Sequence, residues 1–366
     1  MKHISVLAIS LTLYGCDDSQ DGSTSNNFSD PFAPSISPKP DNINPDPSTV
    51  PPHSSMRRYT PSPKSNSFVP GKIYARVYNE KRSGLNPNRY LDTCNFPKFR
   101  IGTQRYFFGT PFATGSDTRL FATFDNQFVL KIQDNSSPDS REMFWREHAA
   151  MHQARHTGVV SIIEPTADLS QMSPECEARS FVMKKVLGKD LHGYLSTISK
   201  AQVLDLGQAA LKALEKFHDT GVIHGDIHLG NIMLGSVFDM KSSLTLIDFG
   251  RSMSYFDAQL GVHKLGTEMK PFTPVSVLNW NLLSINELEG GPVSRADDLF
   301  RLAEVLIILC TKTIVRYPRT SGPGYVALQK RNRKFDDSEV PQKIQNLYRY
   351  AMNLGFDQRP NYDLLN

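Results

Sequence analysis

Residues 296–310, ADDLFRLAEVLIILC, constrain the fold most, because they are apolar on nearly every side of a helix. A helix of that kind is stable only as a buried axis with other elements packed around it. Three earlier runs, RYFFGT, TRLFATF and QFVLKI, are rich in aromatic and β-branched residues and predict strands. Strands first and helices later favour an α+β protein with a strand-rich lobe and a helical lobe.

Further patterns locate individual elements. Asp125-Asn126 lies between the second and third strand runs and is a favourable hairpin turn. Residues 140–156 have helical composition, and another pair of strands is expected around SFVMKKV. Residues 200–221 repeat apolar side chains at a 3.6-residue period and end at a glycine, which predicts an amphipathic helix. The short strands expected after this helix are NIML and LTLIDF.

The N-terminal region has the composition of a targeting segment and a linker. Residues 1–16 end in LTLYGC, which resembles the lipobox of bacterial lipoproteins with Cys16 as the lipid-modified residue. Residues 17–70 are rich in Ser, Asn, Asp and Pro and predict a disordered linker, followed by an extension at 71–100 and a folded domain at 101–366. The protein is therefore expected to be exported, and either lipid-anchored at the cell envelope or secreted. An ordinary secretory signal stays open, as does a misplaced start codon, which would make the protein cytoplasmic.

The charge and the cysteines exclude several classes of protein. The formal net charge of +4 comes from nearly balanced acids and bases, so no broad field attracts nucleic acid or an anionic membrane. Arg251, Lys264 and Lys270 are interpreted as solvated side chains. The cysteines after Cys16 are odd in number and scattered, which matches neither a disulfide framework nor a zinc site. They are Cys94, Cys176 and Cys310.

Five polar residues form a set that suits phosphoryl transfer. They are Lys131, Glu147, Asp226, Asn231 and Asp248. Moving a phosphoryl group from a nucleotide requires a cation at the phosphates, oxygen ligands for Mg²⁺ and a group that orients the acceptor hydroxyl. Lys131 on a strand, steadied by Glu147 on the next helix, would supply the cation. Asn231 and Asp248 would bind the metal, and Asp226 would accept the hydroxyl proton.

The sequences around these residues resemble the motifs of eukaryotic-type protein kinases. HGDIHLGN is similar to the catalytic loop H-R-D-x-x-x-x-N, LIDFG to the D-F-G metal motif and FVLKI to V-A-I-K. The resemblance implies a bilobal protein-kinase-like fold, with a small β-rich N-lobe and a larger, mainly helical C-lobe. It also implies ATP and Mg²⁺ as cofactors, and Lys131, Asp226 and the loop asparagine as the catalytic residues.

Within this superfamily, the chain is similar to the casein kinase 1 and vaccinia-related kinase group. Residues 284–306 resemble the segment that replaces A-P-E in that group, where S-I-N is followed by S-R-R-D-D-L. VLGKDLHGYL and FDQRPNYDLL resemble the segment after the hinge and the closing helix, so the resemblance spans about Phe107 to the C-terminus. It implies that Asp298 braces the catalytic loop through backbone hydrogen bonds.

The chain departs from the kinase pattern at three places. The loop G-x-G-x-x-G is reduced to Gly109 and Gly115, with Ser116 as a further candidate for contacting the nucleotide phosphates. Gly225 replaces the arginine that in the family pairs with a phosphorylated activation segment, which argues against switching by that route. His228 stands where many protein kinases have a lysine, and it either contacts the transferred phosphate or caps the loop.

Three functions stay open from the sequence. The leading one is a Ser/Thr protein kinase, a monomer that uses MgATP and phosphorylates a protein hydroxyl. HGDIHLGN also resembles small-molecule phosphotransferases of the aminoglycoside and choline kinase type, although SRADDL argues against them. A pseudokinase that binds a partner or a nucleotide is favoured by the poor glycine loop, whereas the five polar residues argue for catalysis.

Overall fold

The computed structural model describes most of the chain from Lys98 to Asn366. The described residues are 98–101, 104–114, 118–133, 138–158, 167–168, 180–257, 261–269, 280–318 and 321–366. The expected signal segment with Cys16, the linker at 17–70 and most of the extension at 71–100 lie outside them. Within the described ranges, every helix is too short or too polar to cross a membrane.

An antiparallel sheet of six strands forms the N-terminal lobe. Its strands are β1 (Lys98–Ile101), β2 (Gln104–Thr114), β3 (Thr118–Thr123), β4 (Phe128–Gln133), β5 (Ala167–Asp168) and β6 (Ser180–Lys184). They lie in the order β5-β1-β2-β3-β4-β6. The β3–β4 hairpin turns at Asn126, whose φ of 63° lies in the left-handed region that asparagine tolerates. The predicted hairpin is confirmed.

Helix α1 (Pro138–Ala154) packs against this sheet and confirms the helix expected at 140–156. Its buried Phe144 contacts Phe181 of β6, with ring centroids 5.1 Å apart. The strand expected at SFVMKKV is confirmed as β6, which pairs with β4, whereas the short β5 pairs with β1. Strands close in sequence therefore occupy opposite edges of the sheet.

The C-terminal lobe is mainly helical and is built around one buried helix. Its helices are α2 (Lys200–His218), α3 (Met240–Ser243), α4 (Ile285–Leu288), α5 (Arg295–Thr311), α6 (Pro323–Arg331) and α7 (Gln342–Met352). In α5, 14 of the 17 residues are buried, which confirms the predicted axis. Ser294 caps α5, since its hydroxyl accepts a hydrogen bond from the N–H of Ala296 at 3.2 Å.

The amphipathic helix expected at 200–221 is α2. A capping box of Ser199 and Gln202 begins it, and the helix ends at His218. Gly221 then turns the chain with a φ of 86°, a conformation that favours glycine. The apolar positions that set the helical period are all buried against the lobe's core. They are Val203, Leu206, Ala210, Ala213, Leu214 and Phe217.

Short strands hold two loops of this lobe in place. These strands are β7 (Lys189–Asp190), β8 (Val222–Ile223), β9 (Ile232–Leu234), β10 (Leu244–Leu246), β11 (Met253–Ser254), β12 (Phe256–Asp257) and β13 (Val262–His263). β9 pairs with β7 and β10, and β8 pairs with β11. The strands predicted at NIML and LTLIDF are thus confirmed. Residues 224–231 join β8 to β9, and residues 247–252 join β10 to β11.

Candidate active site

Lys131 on β4 and Glu147 on α1 form a buried ion pair. Their Nζ and Oε2 atoms lie 2.5 Å apart, and the side chains are 12% and 4% exposed. Burial alone would lower the pKa of Lys131, but the carboxylates of Glu147 and Asp248 raise it above its ordinary value. The amine therefore stays charged, and the helix carboxylate fixes its position.

Asp248 brings a second carboxylate to the same amine from the other lobe. Its Oδ1 lies 3.8 Å from Nζ of Lys131, and its side chain is 54% exposed. The φ of Asp248 is 60°, a left-handed conformation that costs a non-glycine residue about 1–2 kcal/mol. Phe249 is buried and stacks on Phe217 with ring centroids 5.1 Å apart, which holds this strained backbone in place. The backbone of Asp248 is thus fixed by its buried neighbour, while its carboxylate stays half exposed beside Lys131.

Asp298 of α5 holds the loop at 224–231 from the core side. Its carboxylate accepts hydrogen bonds from the N–H groups of His224 and Gly225 at 2.7 and 2.9 Å. The same carboxylate contacts Nε2 of His218 at 2.9 Å. Burial alone would raise the pKa of Asp298, but these three neighbours hold it below its ordinary value. The brace implied by the kinase resemblance is confirmed by these contacts.

Gly225 is required by the geometry of the loop. Its φ is 72°, and a Cβ at this position would lie 2.5 Å from the carbonyl oxygen of Arg251. A side chain of any kind would therefore force the two loops apart. This contact gives a physical reason for the absence of the arginine that the kinase pattern has here.

Asn231 fixes the backbone of Asp226. Its Nδ2 donates to the carbonyl oxygen of Asp226 at 2.9 Å and lies 3.5 Å from the carboxylate oxygen Oδ2. Both residues belong to the loop at 224–231, which α5 anchors. The two predicted loop residues are thus held as one unit.

Two arginines that sequence reasoning missed contact the carboxylate of Asp226. Its Oδ1 lies 3.1 Å from Nη1 of Arg301 and 3.4 Å from Nη1 of Arg251. Burial alone would raise the pKa of Asp226, but the two guanidinium groups hold it below its ordinary value, so the carboxylate stays ionised. Arg251 was expected to be solvated, and that expectation is wrong, because its side chain is 17% exposed and paired. The sequence did contain a signal that could have identified Arg301 as a site residue, because a charged side chain inside an apolar helix requires a partner.

The two loop histidines have structural contacts. Nδ1 of His228 accepts a hydrogen bond from the N–H of Gly230 at 3.0 Å, so His228 caps the turn Leu229–Asn231. Its Nε2 lies 3.9 Å from Oδ2 of Asp226, so a role at the transferred phosphate stays open. Burial lowers the pKa of His228 and favours the neutral imidazole. His224 packs on Phe249, with ring centroids 4.8 Å apart.

The residues expected to hold Mg²⁺ have the required donor chemistry. Because the amide nitrogen of Asn231 donates to Asp226, its amide oxygen is the atom available to a metal. Asp248 adds a carboxylate that is half exposed. Mg²⁺ prefers oxygen ligands and usually keeps water and phosphate oxygens in its shell, so one amide and one carboxylate fit it.

The expected phosphate-binding loop is described only in part. Gly109 lies in β2 between Phe108 and Pro111, where the register against β3 shifts, which is the mark of a β-bulge. Gly115 and Ser116 lie outside the described residues. The structure thus joins Lys131, Glu147 and Asp248 in one cluster and Asp226 with Asn231 in a second. The two are linked through the backbone, since the N–H of Ile247, next to Asp248, donates to the carbonyl oxygen of Asn231 at 3.0 Å. The contribution of the glycine loop stays a prediction.

A strand lysine paired with a helix glutamate faces an aspartate and a braced loop of the helical lobe, an arrangement that suits phosphoryl transfer from a nucleotide. The protein kinase domain family matches residues 119–315, which is more than half of the chain. The chain belongs to this family, and its β-rich and helical lobes are those of the bilobal kinase fold.

Curated relatives include proteins of bacteria and of a plant. The chain is 28% identical over 156 residues to the serine/threonine-protein kinase PknA of Mycobacterium tuberculosis, covering 40% of this chain and 35% of that protein. It is 27% identical over 192 residues to the casein kinase 1-like protein HD16 of Oryza sativa, covering 49% and 26%. It is 23% identical over 221 residues to the probable serine/threonine-protein kinase PknB of Corynebacterium glutamicum, covering 57% and 31%. The chain therefore spans between 26% and 35% of the length of these relatives.

Proposed function

We propose that this protein is a serine/threonine kinase that transfers the γ-phosphate of ATP to a hydroxyl group of a protein. Membership of the kinase family and the names of the relatives support this class of acceptor. The observation that carries the proposal is the 3.8 Å contact between Nζ of Lys131 and Oδ1 of Asp248. It places the cation for the phosphates next to the carboxylate for the metal, as phosphoryl transfer requires.

Each of the five site residues then has a defined task. Lys131 binds phosphate oxygens, and Glu147 keeps its amine in place between the lobes. Asn231 and Asp248 would hold Mg²⁺, which would neutralise phosphate charge. Asp226 orients the acceptor hydroxyl and takes its proton, while the hydroxyl oxygen bonds to the γ-phosphorus and the bond to the bridging oxygen of ADP breaks.

The test uses the full-length protein with labelled ATP and Mg²⁺. Casein serves as the protein acceptor, beside a panel of aminoglycosides and choline. We expect label on serine or threonine of casein, and loss of that label in Lys131→Met. Lys185→Met is the matched control, because Lys185 is a lysine just after β6 whose partner is Asn126 in the β3–β4 turn. Label on a small molecule alone, or equal labelling by both variants, would overturn the proposal.

A further inference from the structure

The two arginines on Asp226 also contact a second carboxylate, so that four side chains form a closed network. We infer that this network holds Asp226 in its reactive position without any phosphate on the chain. We call it the arginine–carboxylate ring; it consists of Asp226, Arg251, Glu287 and Arg301. The inference rests on the proposed function, because it depends on Asp226 being the residue that orients the acceptor hydroxyl.

Each arginine in the ring contacts both carboxylates. Arg301 donates from Nε and Nη2 to the two carboxylate oxygens of Glu287, at 2.9 and 2.7 Å. Its Nη1 donates to Oδ1 of Asp226 at 3.1 Å. Arg251 places Nη1 3.4 Å from that oxygen of Asp226 and Nη2 3.7 Å from Oε1 of Glu287. Two positive charges and two negative charges are thus matched inside the ring.

The ring is attached to fixed parts of the helical lobe. Arg301 comes from the buried helix α5, and the side chains of Arg301 and Glu287 are 1% and 2% exposed. Glu287 lies on α4, where Ser284 donates its N–H to the Glu287 carboxylate at 2.9 Å and accepts the N–H of Glu287 at 3.0 Å. Buried charges are tolerated only when they are paired. The carboxylate of Asp226 is consequently linked to the position of α4.

The negative charge that balances the two arginines comes from Glu287 of the chain itself and not from a phosphate. In the kinase pattern an arginine at the position of Gly225 would await a phosphate on the activation segment. Here the backbone excludes that arginine, and Arg251 and Arg301 reach Asp226 from the segment after β10 and from α5. Glu287 supplies the negative charge, so the ring is complete once the chain has folded. Arg251 and Arg301 are positioning residues, since they act through Asp226.

The test compares kinetics with and without covalent phosphate. Full-length protein is produced alone and with a co-expressed phosphatase, and intact mass spectrometry reports its phosphate content. We expect the phosphate-free protein to keep its kcat for casein. Arg301→Met should lower kcat about 100-fold, the loss that a misplaced reactive group causes, with the KM for ATP nearly unchanged. Arg301→Lys should recover part of that loss. Arg333→Met, which breaks a 3.1 Å pair with Glu304 of α5 outside the ring, should match wild type.

Several outcomes separate the inference from the proposed function. Thermal melting shows whether Arg301→Met folds. If it does not fold, Arg251→Met tests the inference instead. We expect Arg251→Met to lower kcat about tenfold at unchanged KM for ATP. Loss of activity in the phosphate-free protein, or an Arg251→Met variant with the kcat of the Arg333 control, overturns this inference alone. A wild-type protein that transfers no phosphate in either state overturns the proposed function and this inference with it.

Discussion

The amine of Lys131 lies 3.8 Å from the carboxylate of Asp248, although one residue comes from the sheet and the other from the helical lobe. The contact joins the two halves of the site across the cleft. It places the carboxylate proposed to bind the metal beside the cation proposed to bind the phosphates.

Replacing Asp248, the carboxylate proposed to bind the metal, should lower activity without lowering stability. Asp248→Asn keeps a side chain that tolerates the φ of 60°, but it removes the charge. We expect phosphate transfer to fall by about 10²–10³-fold while the melting temperature stays within a few degrees, because the side chain is half exposed. Asp363→Asn is the control, an exposed carboxylate whose partner is Lys212. Unchanged transfer in Asp248→Asn would refute the metal assignment.

The proposed role of Asp226 predicts that its replacement lowers turnover but not nucleotide affinity. Asp226→Asn keeps the size of the side chain and removes its ability to take a proton. General-base action contributes about 10²–10⁴-fold, so kcat should fall by that amount. The Kd for ATP, measured by fluorescence or calorimetry, should change little. An equal loss in kcat and in nucleotide affinity would show that Asp226 acts on binding instead.

Because of Asp298, the free energy of unfolding should decrease with falling pH in the acid range. Its folded pKa is held below the ordinary value of 3.8, so the unfolded chain binds its proton more readily as the pH falls. The stabilisation is therefore complete above about pH 4 and is lost as the pH falls through the folded pKa.

Asp298→Asn is the test of this linkage. It removes a charged acceptor from two loop amides and His218, which should lower the free energy of unfolding at pH 7 by about 3 kcal/mol. Denaturant melts between pH 2 and 7 should show a shallower acid dependence in the variant. Parallel curves for the two proteins would contradict the assignment.

Two glycines with similar backbones test the close approach at the loop. Gly225 and Gly290 have φ of 72° and 77°, but only the first has an atom, the carbonyl oxygen of Arg251, within reach of an added Cβ. Gly290→Ala should cost about 1 kcal/mol through backbone strain alone. Gly225→Ala should cost more, by about 2 kcal/mol, because two loops must separate. Equal melting temperatures for the two variants would remove the steric explanation for the missing arginine.

The sequence was sufficient to predict the elements whose burial is visible in their own pattern of apolar residues. The period of 200–221 and the apolar surface of 296–310 predicted α2 and α5, because each pattern matches one way of burying a helix. The same reasoning predicted the strand at SFVMKKV but not its partner in the sheet. The strand β6 pairs with β4, and such a pairing depends on sheet order rather than on neighbouring residues.

The candidate site could be predicted in part. Lys131, Glu147 and Asp248 lie in short sequence patterns, namely FVLKI, the helix at 140–156 and LIDFG, that predicted a shared site. The structure brings these three residues together. Arg251 and Arg301 were missed, since their shared contact with Asp226 arises only when α5 is placed beneath the loop. A charge inside a helix is visible in a sequence, but its partner is a property of the packing.

Helix α5 carries Asp298 and Arg301 on one turn and has almost no exposed surface. The loop backbone and the carboxylate that it bears are therefore attached to the same rigid body, and neither can fluctuate unless that body opens. Amide hydrogens of His224 and Gly225 should then exchange with deuterated water as slowly as those inside α5, at the rate of global unfolding. We therefore expect the loop at 224–231 to belong to the most slowly opening part of the fold.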